Sequence, residues 1–189
     1  MNGESGLRVM GRVRKLFYFS FPTRVGQMFA AVSNQGVLQL CFERQDALAR
    51  FKELAWEFGA PIARVEIDEV NEVGRQLIKE VNEFLDGERT VFTVSVEPSP
   101  SLTDFQSKVY KHLQSIGYGE KETYLEVAGT VGEKGAARAV GSACALNRIP
   151  LIFPCHRVVR TDGGIGEFAG GMDVKEFLLD LEARVTRES

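Results

Sequence analysis

Cysteine and histidine are scarce in this chain of 189 residues: Cys41, Cys144 and Cys155, with His112 and His156. An odd cysteine count without short, regular spacing is a poor disulfide framework. No Cys-x-x-Cys pair or zinc-finger spacing occurs, so no metal is expected. No run of about 18 apolar residues is present, which predicts no membrane-spanning helix. Arg8, Arg12, Arg14 and Lys15 precede a strand-like run with no secretory core or cleavage site between them. A cytoplasmic protein in a reducing compartment is therefore expected. Bulk positive charge is missing too, since the formal net charge is -3. Any binding to nucleic acid must come from a local arrangement of charge and must be salt-sensitive.

The residues that are present divide the chain in two. Leu16–Phe21, Met28–Val32 and Val37–Phe42 read as strands, the last two joined by a turn at Asn34-Gln35-Gly36. Leu48, Phe51, Leu54 and Phe58 recur at helical spacing over residues 45–58, and Val73, Leu77, Val81 and Phe84 over a second helix that Gly87 stops. Glu97-Pro98-Ser99-Pro100-Ser101 is the linker candidate. The expected organisation is an α/β class: an N-terminal α/β domain with a β-sheet over residues 1–96, a linker at 97–102, and a mostly helical C-terminal domain at 103–189. In that second half a helix carries Phe105, Val109, Leu113 and Ile116, with His112 expected as a packed core histidine. Two short helices then follow, from Thr123 and from Gly135, with Val131–Lys134 as the turn between them. This is the outline of a helix-turn-helix, winged-helix-like unit. The second of these helices is thin, built from Gly135, Ala136, Ala137, Ala139, Gly141, Ser142, Ala143 and Ala145. Tight internal packing and insertion into a groove suit it equally. Arg138, the one charged side chain between Lys134 and Arg148, favours a functional arginine.

Pro154-Cys155-His156-Arg157-Val158 follows the apolar run Leu151-Ile152-Phe153, which reads as a buried strand. A thiol reacts as its thiolate, and a neighbouring imidazole or cation promotes that form. In an extended segment adjacent side chains face opposite ways, so His156 needs a bridging water to reach Cys155. A base of this kind uses a carboxylate to fix its tautomer and hold its charge. Glu182 borders the stripe of Val174, Leu178, Leu181 and Val185 and is the candidate, whereas Glu176 and Asp180 read as solvated. A rim salt bridge is the plainer reading of Glu182, and a helix C-cap that of Asn147. The glycines around Glu167-Phe168-Ala169 lack the following Lys-Ser or Lys-Thr of a phosphate loop and suit a pocket wall.

Together these residues resemble the O6-alkylguanine-DNA alkyltransferases, also called methylated-DNA–protein-cysteine methyltransferases. The resemblance runs from about Phe105 to Glu182. It rests on Phe105-Gln106, Tyr118-Gly119-Glu120, Thr123-Tyr124, Ala136–Gly141, Asn147, Ile149-Pro150, Pro154–Val158, Gly170-Gly171, Lys175-Glu176 and Leu178-Leu179. The first half fits the family's variable domain only in size and class.

The resemblance implies direct DNA repair: irreversible, stoichiometric transfer of the alkyl group of O6-alkylguanine, or O4-alkylthymine, to Cys155 without a cofactor. It implies His156 as the water-linked base with Glu182 behind it, Asn147 as a brace of the active-site turn, and Tyr124 as the group assisting guanine departure and nucleotide rotation. Arg138 would fill the vacated base stack, and the helix bearing Ala137 and Gly141 would enter the minor groove of double-stranded DNA. Phe168, Ala169 and Val158 would line the base pocket, and the protein would act as a monomer. Arg148 stands where the family has Pro and suggests a phosphate contact. Tyr110 replaces Trp, Gly117 and Lys121 replace Pro and Thr, Ala169 replaces Ser, and the zinc ligands of some members are absent. A non-catalytic lesion sensor and an alkylation-responsive DNA-binding regulator are the competing readings. A thiol hydrolase is a third.

Overall fold

The computed structural model describes residues 14–43, 45–133 and 135–188. Arg8, Arg12 and the turn residue Lys134 lie outside the described residues. Strands β1 (Leu16–Thr23), β2 (Gly26–Val32) and β3 (Val37–Phe42) form an antiparallel meander, and β4 (Ile62–Arg64) pairs parallel with β1. The order is β3-β2-β1-β4. Alternation along β1 and β2 sends side chains to both faces. Phe19, Phe21, Met28 and Ala30 meet Leu77, Val81 and Phe84 of helix α2 (Glu72–Asp86). Leu16, Ala31 and Cys41 meet Phe51 and Leu54 of helix α1 (Ala47–Glu57) on the other face. Helix α1 starts after the N-cap Asp46, whose carboxylate accepts from the Ala49 N–H. Gly87 ends α2 at φ +81, as its position in the sequence predicts.

The Pro- and Ser-rich stretch is tied down at intervals. Glu97 N–H donates to the Val37 carbonyl at 3.0 Å, and Ser99 and Ser101 both donate to the Glu57 carboxylate. Beyond it, helix α3 (Asp104–Leu113) opens with a capping box between Thr103 and Gln106. Helices α4 (Tyr124–Thr130) and α5 (Ala137–Ala145) pack on α3, and the Tyr110 hydroxyl donates to the Ala143 carbonyl at 2.9 Å. A two-residue ladder joins β5 (Glu122–Thr123) to β6 (Val158–Val159). Helix α6 (Met172–Glu188) closes the described chain. Among the described residues no helix is long and apolar enough to cross a membrane.

Two local expectations change. The run Leu151-Ile152-Phe153 is a turn, not a strand. Pro150 and Pro154 bracket it and supply no N–H donors, and Leu151 sits at φ +75. Phe153 N–H bonds back to the Ile149 carbonyl at 3.0 Å. His112 is half-buried and bonded to Glu122 at 2.7 Å, so it ties α3 to β5.

The turn does bury its apolar side chains. Ile149, Leu151 and Ile152, with Leu178 of α6, join the same cluster as Phe19, Phe21 and Phe84. Each such side chain contributes about 1.5–3 kcal/mol on full burial. The Arg148 carbonyl accepts from Leu40 N–H at 2.8 Å and from the Gln39 amide at 3.1 Å. The sheet therefore holds the turn that leads to Cys155.

Candidate active site

Cys155, His156 and Arg157 form one turn of 3-10 helix. Successive side chains on such a helix are about 120° apart, three residues to the turn, so the alternation of an extended chain does not apply. Cys155 takes the side facing an open cleft of about 1240 Å³, although only 4% of its surface is exposed. His156 turns inward and is fully buried.

Asn147 lies just beyond α5 and uses its whole amide. Its nitrogen donates to the Phe153 carbonyl at 2.8 Å and to Cys155 Sγ at 3.2 Å, while its oxygen accepts from Ile149 N–H at 3.0 Å. Asn147 thus shapes the turn and contacts the sulfur. Burial pushes the Cys155 thiol above its ordinary value, against the pull of Asn147 and the Lys175 cation.

His156 Nε2 lies 2.7 Å from Glu182 Oε1, whereas its Nδ1 is buried without a protein partner. Arg157 binds the same carboxylate through Nε and Nη2, both at 3.0 Å, and Gly119 N–H adds a bond at 2.9 Å. Burial pushes Glu182 up, but the bonds from His156 and Arg157 prevail and hold it below the ordinary carboxylate value. Burial lowers the His156 value despite Glu182. Burial thus favours the thiol and the neutral imidazole, while the guanidinium favours the carboxylate of Glu182.

The cleft wall includes Tyr124, Arg138, Gly141, Phe168 and Ala169. Thr123 caps α4 through a capping box with Glu126 and so fixes Tyr124 at the helix's first position. Burial raises the Tyr124 phenol to about 12, which keeps it a proton donor. Gly166 sits at φ +75, and a Cβ there would stand 3.0 Å from the Tyr124 hydroxyl. Phe168 lies edge-on to both Phe42 and His156. Along α5, Val140 and Ala143 are buried, and Arg138, Ala139, Ser142 and Ala145 are exposed. The thin helix packs with one face and leaves the other open.

Residues 104–184 match the family described as 6-O-methylguanine DNA methyltransferase, DNA binding domain. A methylated-DNA–protein-cysteine methyltransferase of Methanosarcina acetivorans is 34% identical over 168 residues, spanning 88% of this chain and 98% of the relative. This chain belongs to the methylated-DNA–protein-cysteine methyltransferase family. A relative of that name from Methanosarcina barkeri is 43% identical over 108 residues, covering 57% of this chain and 67% of its own length. The crystal structure of Mycobacterium tuberculosis OGT in complex with DNA superposes with a TM-score of 0.73 at 30% identity, covering 89% of this chain and 94% of that one. O6-methylguanine-DNA methyltransferase from the hyperthermophilic archaeon Pyrococcus kodakaraensis gives 0.64 at 26% identity, with 88% and 98% covered. The β-sheet half followed by a helical half is the arrangement of this family.

Two residues named from the sequence stand elsewhere than expected. Val158 is fully buried in the helical core and does not line the cleft, because the 3-10 turn rotates it inward. The Arg148 guanidinium is bound to Glu57 at 2.5 Å instead of standing free for phosphate. Ser99, Ser101 and Arg148 overcome burial at Glu57 and bring its value down to about 2. Conversely, Arg157 and Lys175 belong to the site although the motif reading gave them no role. Lys175 is fully buried and donates to the Val158 carbonyl at 2.6 Å, with its Nζ 5.9 Å from the Tyr124 ring centre. Its spacing offered a signal: Lys175, Leu178 and Glu182 follow an i, i+3, i+7 pattern that places a lysine on a buried face.

Proposed function

We propose that this chain repairs O6-alkylguanine in double-stranded DNA by moving the alkyl group to Cys155 once per molecule, with O4-alkylthymine as a further substrate. The observation that carries this reading is the joining of two assemblies by one 3-10 turn: a thiol on the cleft, contacted by Asn147, and a buried imidazole behind it, backed by Glu182 and Arg157.

The target atom is inaccessible inside a duplex, so the nucleotide must rotate out, which costs a few kcal/mol. The open side of α5, with Ala139 and Ser142 exposed and Ala137 and Gly141 half-buried beside them, is narrow enough for the minor groove, and Arg138 fills the gap left in the stack. Phe168 and Ala169 flank the extrahelical base. A water bridging Cys155 Sγ and the unpartnered His156 Nδ1 removes the penalty of that buried nitrogen and carries the thiol proton to it. Glu182 balances the imidazolium, while Asn147 and Lys175 favour the thiolate. The sulfur attacks the alkyl carbon and the C–S bond forms. The C–O6 bond breaks with its electron pair going to guanine, which takes the Tyr124 proton, and the phenolate regains a proton through solvent from the imidazolium, so that the proton lost by the thiol ends on guanine. The products are neutral guanine and a thioether. A thioether, unlike a thioester, has no readily hydrolysed bond, so one event spends the molecule.

In this reading residues 103–189 carry the chemistry and residues 1–96 support them across the 97–102 connection. The protein works as a cytoplasmic monomer and needs no cofactor. A lesion sensor or a regulator would not need the thiol that Asn147 and His156 surround. Incubation with a duplex containing labelled O6-methylguanine tests the proposal. One methyl per chain on Cys155 is expected, and C155A should bind the duplex without accepting the label. Repeated turnover, or binding by the unaltered chain without transfer, would overturn it.

A further inference from the structure

The cleft that exposes Cys155 has a wall from outside the family-matched segment. Gln45, Asp46 and Arg50, at the start of α1 and just before it, face the same space as Arg138. Two of these three side chains are committed within the fold. Gln45 accepts from Phe42 N–H at 3.0 Å, and the Asp46 carboxylate accepts from Ala49 N–H at 3.0 Å. Arg50 differs: it is half-buried on the cleft wall and makes no ion pair among the described residues. Across the cleft Arg160 is paired with Asp162 at 2.9 Å, whereas Arg138 is exposed. Among the described residues, a chain of net charge -3 thus holds two guanidinium groups without an ion pair on the wall of the cleft that contains its reactive thiol.

Cys155 lies at the floor of the cleft with 4% of its surface exposed. A base that reaches its sulfur must enter fully, which draws the base's own sugar and flanking phosphates to the walls. A guanidinium there matches a phosphate bidentately. We infer that Arg50, on the N-terminal α/β half, binds a backbone phosphate flanking the rotated nucleotide, so that both halves of the chain grip the DNA. This inference rests on the DNA-repair reading of the same cleft and adds a partner contact to it.

Duplex affinity measured against salt, with R50Q, R50E and R50K, tests the contact. Each neutralised phosphate contributes about 0.9 to the slope of log K against log salt. R50Q is expected to lower the slope by about that amount and to weaken binding several-fold, R50E to weaken it further, and R50K to retain most of the slope. A duplex with a neutral methylphosphonate beside the lesion identifies the phosphate: there R50Q should cost little more than the modification alone. Circular dichroism and transfer from a free O6-alkylguanine base, which has no phosphate, confirm an intact site in each variant. An unchanged slope in folded R50Q and R50E overturns the inference. If the unaltered chain transfers from neither duplex nor free base while the slope difference persists, the repair reading fails and the phosphate contact stands.

Discussion

His156 presents Nε2 to Glu182 Oε1 at 2.7 Å and keeps a buried, unpartnered Nδ1. This one-sided bonding assigns the ring's two nitrogens different work: one is anchored, and the other is free to take a proton. The carboxylate that anchors it is itself held by Arg157 and by Gly119 N–H.

Replacing Glu182 with Gln should therefore slow alkyl transfer by about 10²–10⁴-fold, the usual contribution of a positioned base. The neutral amide no longer balances an imidazolium and faces Arg157 without a charge. Single-turnover transfer from duplex O6-methylguanine, followed by quenched sampling, measures the rate constant. A change below threefold would show that His156 does not act as the base.

Stability should peak near neutral pH. The folded values of His156 and Glu182 are both depressed. Their contributions are complete above the unfolded values of about 6.5 and 4.3 and are lost as pH falls through the folded values. Cys155 is shifted up, so its contribution is complete below about 8.5 and is lost as pH rises towards the folded value. Urea unfolding at pH 5, 7.5 and 9.5 should give the highest midpoint at 7.5. A midpoint that rises steadily across this series would contradict the burial of a neutral thiol.

Lys175→Met should make Cys155 less reactive without opening the core, since methionine keeps much of the stem's volume. Lys175 pulls the Cys155 value down from inside the protein. Iodoacetamide alkylation of Cys155, read by mass spectrometry across pH, should move to higher pH in the variant. Each unit of displacement corresponds to about 1.4 kcal/mol. An unmoved profile would assign Lys175 to structure alone.

Arg148→Ala tests a correction to the sequence reading. The guanidinium is bound to Glu57, so its removal should cost stability of about 1.5–3 kcal/mol, typical of a hydrogen bond to a charged group. The salt dependence of duplex binding should not change. A slope lower by about 0.9 would restore Arg148 as a phosphate contact.

Much of this site was legible because its chemistry is local. Cys155 and His156 are neighbours, and Glu182 could be found from the apolar stripe beside it. Three of the four strands and both α-helices of the first half followed from apolar runs and helical spacing, whereas β4 (Ile62–Arg64) was not anticipated and Leu48, expected on the apolar face of α1, is exposed. Leu151-Ile152-Phe153 misled because three apolar residues do not distinguish a strand from a buried turn, and the flanking prolines decided the matter. Arg148 departs from its expectation, and Arg50 carried none, for a reason that no spacing reveals. Glu57, far away in sequence, neutralises the first, while the fold brings the second to the cleft. Lys175 was quoted as a landmark, yet its contact with Val158 depends on the 3-10 turn and the packing of α6.

The apolar cluster shared by Phe19, Phe84, Ile149, Leu151, Ile152 and Leu178 limits how far the molecule can be dissected. A fragment beginning near residue 103 would keep every reactive group but leave four of those six side chains facing water. Such a patch invites association between fragments and removes the support beneath the turn to Cys155. The reactive half is therefore expected to depend on the sheet for its support, and substitutions on the buried face of β1 are expected to weaken repair without touching the cleft.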